Sequence, residues 1–199
     1  MRELNENWFR TVNDLGFDYP FLNTPFIWIA EYTVIFLALM VLFFWFKRTE
    51  THRHMVLAGG FAFILAWITG NLVGLLYHNY QPFHEMVEVN QLVFKDIDNS
   101  FPSDHTILFF AFCVAFWLFN KKNVIWLILA LLVGISRIAV GVHYPFDIIV
   151  GAFIAIVFAI VMYYWVPNSQ LVYKLLNVYE RIENKILPPK KNNERSLDN

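Results

Sequence analysis

Two histidines, an arginine and an aspartate stand at spacings that suit transfer of a phosphoryl group. His143 precedes Asp147 by four residues, with Pro145 between them. Proline is favoured at the first position of a helix, so a helix is expected to open just after His143 and to carry Asp147 in its first turn. The carboxylate can then bend back to the imidazole. Held on one ring nitrogen, it fixes the tautomer and leaves the other nitrogen as a nucleophile. Arg137, six residues upstream of His143, offers a planar fork suited to phosphate oxygens. Pro102-Ser103-Asp104-His105 reads as the start of another helix. Ser103 is placed as its N-cap, the free backbone N–H groups after it form an anion cradle, and His105 can protonate a leaving oxygen. Either histidine alone would more often be structural; the joint spacing favours catalysis.

The elements that must position these groups are membrane helices. Of 199 residues, 58% are hydrophobic and only 16% charged, too few charges to cover a soluble domain of this size. The 21 Phe and 7 Trp suit lipid-facing helices and interfacial belts. A net charge of −1 gives no basis for a nucleic-acid partner. Cys113 is the sole cysteine, which excludes an intrachain disulfide and a cysteine-based metal site. Residues Met1 to Asn23 contain Glu3, Glu6, Asp14 and Asp18 and lack the apolar stretch of a signal peptide.

Five apolar stretches are predicted to span: Pro25–Phe46, Met55–Tyr77, Thr106–Phe119, Val124–Val142 and Pro145–Val166. Trp8, Phe9, Val12 and Leu15 recur at helical spacing, which predicts an interfacial helix over Asn5–Phe17. A second amphipathic helix is predicted over Gln170–Ile186, followed by a polar tail with a disordered composition. The expected fold is an all-α membrane protein, a bundle of about five transmembrane helices with an amphipathic helix at each end. Residues 1–166 form the membrane-embedded unit, with the interfacial helix inside 1–23, and 167–199 form the cytoplasmic helix and tail.

Lysine and arginine set the orientation. Lys47, Arg48, Arg53, Lys121, Lys122, Lys174, Arg181, Lys185, Lys190, Lys191 and Arg195 all fall on one face, which is therefore read as cytoplasmic. The N-terminus and the candidate catalytic residues then lie outside. His105 precedes Asn120 by 15 residues and Arg137 follows Asn123 by 14. At 1.5 Å per residue both sit roughly 21 to 23 Å above the cytoplasmic boundary, recessed below the outer surface of a core about 30 Å thick. An arginine at that depth calls for an aqueous pocket or an anion.

Pro102-Ser103-x-His105 and Ser136-Arg137-x5-His143-x3-Asp147 together resemble the second and third signatures of the type 2 phosphatidic acid phosphatase superfamily. Asp104, where many members carry glycine, is similar to the branch of bacitracin-resistance undecaprenyl pyrophosphate phosphatases. The resemblance implies that His143 attacks phosphorus, that Asp147 orients it, and that His105 serves as acid and then base. It assigns the phosphate to Arg137, Ser103 and the backbone at Asp104, and it requires neither metal nor cofactor. The first signature is degenerate: Gly74 and Gln81 stand where the family has lysine and arginine. Either Gln81 donates neutral hydrogen bonds to phosphate, or a nearby group such as Lys95 or His78 compensates. Glu31 and Asn71 lie within spans and are expected to line the pocket or to pair with each other.

The implied partners are a polyprenyl pyrophosphate substrate and membrane lipids, with no obligate protein partner. The enzyme rivals are phosphatidylglycerophosphate or phosphatidate phosphatase. A transporter, for example one exporting bacitracin, is the rival of another class; no internal repeat of the kind common in transporters is visible.

Overall fold

The computed structural model describes residues 2–121 and 123–187, and the described residues contain helices and loops but no strand. Helix α1 covers Arg2–Asn13 and α2 Leu15–Asp18, followed by a single 3-10 turn at Pro20–Leu22. Then come α3 (Asn23–Phe46), α4 (Glu50–Leu76), the short α5 (Pro82–Glu85), α6 (Asp104–Phe119), α7 (Ile125–Ala139), α8 (Pro145–Asn168) and α9 (Gln170–Ile186). Five of these are the predicted spans. The predicted polar tail lies outside the described residues, as does Lys122.

Helices α4, α6 and α8 pack on one another at the centre, with α7 against α6 and α3 against α7. Small residues make this close approach possible. Ala58, Ala62, Ala66, Gly70 and Gly74 recur every fourth residue on α4 and are all buried. A Cβ on Gly70 would come within 2.7 Å of the Ile107 side chain, so that stripe receives α6 directly. Larger rings fill the end of the bundle away from the candidate residues, where Phe44, Phe116 and Trp126 meet with centroids 5.0–5.8 Å apart. Outward, Ile35, Leu39 and Leu42 of α3 and Leu72, Leu75 and Leu76 of α4 are exposed. Apolar exposure on that scale belongs against lipid rather than water.

The stretch covering the 3-10 turn and α3, together with α4 and α8, is long and apolar enough to cross a membrane; α6 and α7 are shorter, with 16 and 15 residues. At 1.5 Å per residue they reach only about 24 and 22 Å. The candidate residues lie at the start of α6 and the end of α7, the ends opposite the connection between these two helices. Helix α7 also stops at Ala139, three residues short of the predicted Val142. Val140–Val142 instead turn through Gly141, whose φ of +85° favours glycine.

The amphipathic segments are docked rather than free. Phe9 of α1 is fully buried against Tyr144, Trp8 stacks on Phe146, and the chain breaks at Asp14 where a single helix was predicted. Asn13 Nδ2 donates to the carbonyls of Asn90 (3.1 Å) and Ala139 (2.9 Å), and Asn13 Oδ1 accepts from Asn90 N. Asn90 in turn donates to Asn23 Oδ1. This asparagine chain ties α1, the start of α3, the 86–103 loop and the end of α7 together. At the other end of the molecule, Arg53 is buried between the rings of Trp45 and Tyr179 and donates to Glu180 and Glu183 of α9.

Candidate active site

The helix that follows His143 opens as its sequence requires. Tyr144 is the N-cap, Pro145 occupies the first turn, and the Asp147 carboxylate turns back to accept from Tyr144 N at 2.9 Å. That turn brings Asp147 Oδ2 to 3.5 Å from His143 Nδ1. Ser100 Oγ donates to the same oxygen at 2.8 Å. The carboxylate is therefore fixed by two donors, while Asp147 Oδ1 and His143 Nδ1 are both buried without a hydrogen-bond partner. The 3.5 Å approach is longer than a hydrogen bond, and a shift of a few tenths of an ångström closes it. Nε2 of His143 is left as the ring nitrogen available for attack.

His143 lies in the turn between α7 and α8 and is 2% exposed. Burial pushes its imidazole well below the ordinary histidine value, and the charges of Lys95 and Arg137 push the same way, against the nearby Ser100 backbone and the charge of Asp98. The ring is held neutral, as a nucleophile must be.

A cavity of about 310 Å³ opens in front of it. Glu31 enters from α3, Lys95, Asp98 and Ser100 from the 86–103 loop, Asp104 and His105 from the start of α6, and Arg137 from the end of α7. Arg137 Nη1 donates at 3.2 Å to both Ala30 O and Glu31 Oε1, and its buried Nε has no partner. An uncommitted guanidinium N–H in a cavity-lining residue is a ready donor to an anion. Among the described residues no group of three or more His, Cys, Asp or Glu could hold a metal.

Four of the sequence-predicted residues, His143, His105, Arg137 and Asp104, thus share one cavity, with Asp147 directly behind His143. The other two stand deeper. Ser103 is fully buried as the N-cap of α6, accepting from Thr106 N at 3.4 Å, while its own N–H donates to Asp147 O. Gln81 is also fully buried: its amide donates to Asp98 Oδ1 and its oxygen accepts from Asp98 N at 3.2 Å. Glu31 lines the cavity and pairs with Arg137 rather than with Asn71, which donates to Trp67 O one turn back on its own helix. Ser100 carried no signal in the sequence, because its partner lies 47 residues away.

The family model of the PAP2 superfamily matches residues 56–171. This chain belongs to the PAP2 superfamily. Among its PAP2 relatives, the Bacillus licheniformis protein named bacitracin transport permease protein BcrC is 45% identical over 98% of this chain and 97% of its own length. The protein named undecaprenyl-diphosphatase BcrC of Bacillus subtilis is 32% identical over 92% of this chain and 95% of its own. The crystal structure of Aquifex aeolicus LpxE superposes with a TM-score of 0.67 at 26% identity, covering 81% of this chain and 96% of that one. A PAP2-type phosphatidylglycerolphosphate phosphatase from Bacillus subtilis, at 20% identity and a TM-score of 0.59, shares the fold over 95% of this chain and 89% of its own.

Proposed function

We propose that this membrane protein hydrolyses undecaprenyl diphosphate to undecaprenyl phosphate and inorganic phosphate on the outer face of the membrane, recycling the lipid carrier of cell-wall synthesis and so conferring bacitracin resistance. The observation that carries the reading is the His143–Asp147 pair facing Arg137 across a cavity at the recessed helix ends. The near full-length likeness to a relative named undecaprenyl-diphosphatase supports the substrate.

The chemistry follows from the positions. His143 Nε2 attacks the terminal phosphorus as the bond to the bridging oxygen breaks. His105 gives its proton to that oxygen, and undecaprenyl phosphate leaves. Water then attacks the phosphohistidine, His105 takes the water's proton, and inorganic phosphate departs with the histidine restored. Arg137 and the backbone at the start of α6 stabilise the charge that develops on the phosphoryl oxygens. The fourfold spacing of Ala and Gly on α4 and the aromatic filling around Phe116 leave the bundle centre apolar, which gives no support to export of a peptide through it.

The test offers purified protein undecaprenyl diphosphate, phosphatidylglycerophosphate and phosphatidate side by side and measures phosphate release. The diphosphate is expected to be the preferred substrate. With the terminal phosphate radiolabelled, His105→Ala is expected to trap label on the protein, and His143→Ala to trap none and turn over nothing. Turnover by His143→Ala would refute the covalent mechanism, and preference for either glycerolipid would refute the substrate.

A further inference from the structure

Two cations reach the cavity from different elements, Arg137 from α7 and Lys95 from the 86–103 loop. We infer that Lys95, positioned by the buried Gln81–Asp98 pair, receives the second phosphate of the substrate and so selects diphosphates over monophosphates. The inference rests on the phosphatase reading above and adds to it the residue that sets headgroup preference.

Arg137 already has its place, beside His143 where the transferred phosphoryl group must sit. A diphosphate brings a further phosphate and further negative charge into the same recess, and this needs a second cation. Between Gly74 and Gln81 the chain holds no lysine or arginine. At Gly74 none would fit: a Cβ there would lie 2.8 Å from the Phe101 carbonyl oxygen and 3.2 Å from Asn99 Nδ2. The end of α4 is closed to a cation, and Lys95 fills the role from the loop.

The support around Lys95 is more than a surface ion pair requires. Its Nζ stands 3.5 Å from Asp98 Oδ1, and its side chain is 26% exposed. An ammonium has three donors, and a contact of that length commits none of them strongly. Asp98 is gripped at both its carboxylate and its backbone by Gln81, a fully buried side chain. A buried amide spent on a half-exposed carboxylate fixes the point from which Lys95 projects. Each cation in the cavity therefore lies beside a carboxylate, Glu31 for Arg137 and Asp98 for Lys95. A bound diphosphate takes over both cations, whereas a monophosphate takes over one.

The experiment uses the full-length protein in detergent and two free anions, inorganic pyrophosphate and inorganic phosphate, measured by binding. In Lys95→Met the affinity for pyrophosphate should fall at least about tenfold, as for loss of one charge-assisted hydrogen bond, and that for phosphate several-fold less. The ratio of kcat/KM for undecaprenyl diphosphate over phosphatidate should fall by a similar factor. Lys95→Arg should retain most of the preference, and Gln81→Met should shift it in the direction of Lys95→Met, because it releases Asp98. Equal weakening of both anions, or weakening of neither, overturns the inference. Should Lys95→Met fail to fold by thermal unfolding, Lys95→Gln and Asp98→Asn carry the same comparison. If the wild type releases phosphate from neither lipid, the proposed function fails, and the pyrophosphate measurement still decides the role of Lys95.

Discussion

Replacing Ser100 by alanine removes one of the two donors that fix Asp147 while leaving His143, His105 and Arg137 untouched. Ser100 is fully buried and its hydroxyl lies 2.8 Å from Asp147 Oδ2, the oxygen that also stands 3.5 Å from His143 Nδ1. A hydrogen bond to a charged group contributes about 1.5–3 kcal/mol. If that energy serves to hold the carboxylate against the imidazole as positive charge develops on the ring, kcat should fall roughly 10- to 100-fold. KM should change little, because the Ser100 hydroxyl is committed to Asp147. Phosphate release from undecaprenyl diphosphate gives both constants. A double-mutant cycle with Asp147→Asn then separates two roles. Ser100 acting through the carboxylate should cost much less once the charge is gone. Activity of Ser100→Ala within about twofold of wild type would refute the positioning argument, since the expected loss is at least tenfold. Full additivity with Asp147→Asn would instead move Ser100 to direct contact with phosphate.

Protonation of His143 should shut the enzyme down only at a pH well below the usual histidine value, because burial first, and the charges of Lys95 and Arg137 second, oppose it. The acid limb of kcat/KM is where this appears, and Lys95→Met should move that limb upward. Glu183 makes a separate pH prediction. Burial favours its neutral form, but the hydrogen bonds and charges of Arg53 and Arg48 outweigh burial and leave its folded value depressed. Docking of α9 is thus stabilised above the ordinary carboxylate value and weakens as pH falls through the folded one. Spin labels on α4 and α9 should separate in acid, and in Arg53→Met at neutral pH. For orientation, Val87→Cys, at an 81%-exposed position, should react with an impermeant thiol reagent in intact cells, and Asn120→Cys should not. Cys113 is fully buried and should stay silent in that assay. The reverse labelling would invert the proposed topology.

Helix starts were the most legible features of the sequence, because their signals are local. Ser103 caps α6, Pro145 opens α8, and Gln170–Ile186 is the extent of α9 as its apolar spacing predicts. The His143–Asp147 contact follows from the same locality, four residues across one turn. What could not be read depends on where the chain returns. Ser100 meets Asp147 across 47 residues, and Glu31 meets Arg137 across 106. Gln81 was recognisable as a departure, yet its direction was not, since the 86–103 loop that presents Asp98 has no periodic pattern. The N-terminal helix was legible as amphipathic, but periodicity does not distinguish a lipid-facing stripe from one that covers α7 and α8, as Phe9 does.

The asparagine chain has a consequence for how the enzyme comes into being. Asn13 joins carbonyls 77 and 126 residues further along. During synthesis the first helix can therefore meet the 86–103 loop early, but its docking stays incomplete until α7 has been made and the segment around Ala139 has cleared the ribosome. Closing so long a loop is slow and comes late in assembly. The 86–103 loop stapled by that closure carries Lys95, Asp98 and Ser100. A chain released before residue 139 would hold α3, α4 and α6 in the bilayer and still lack a site, so maturation should be scored by onset of activity rather than by insertion.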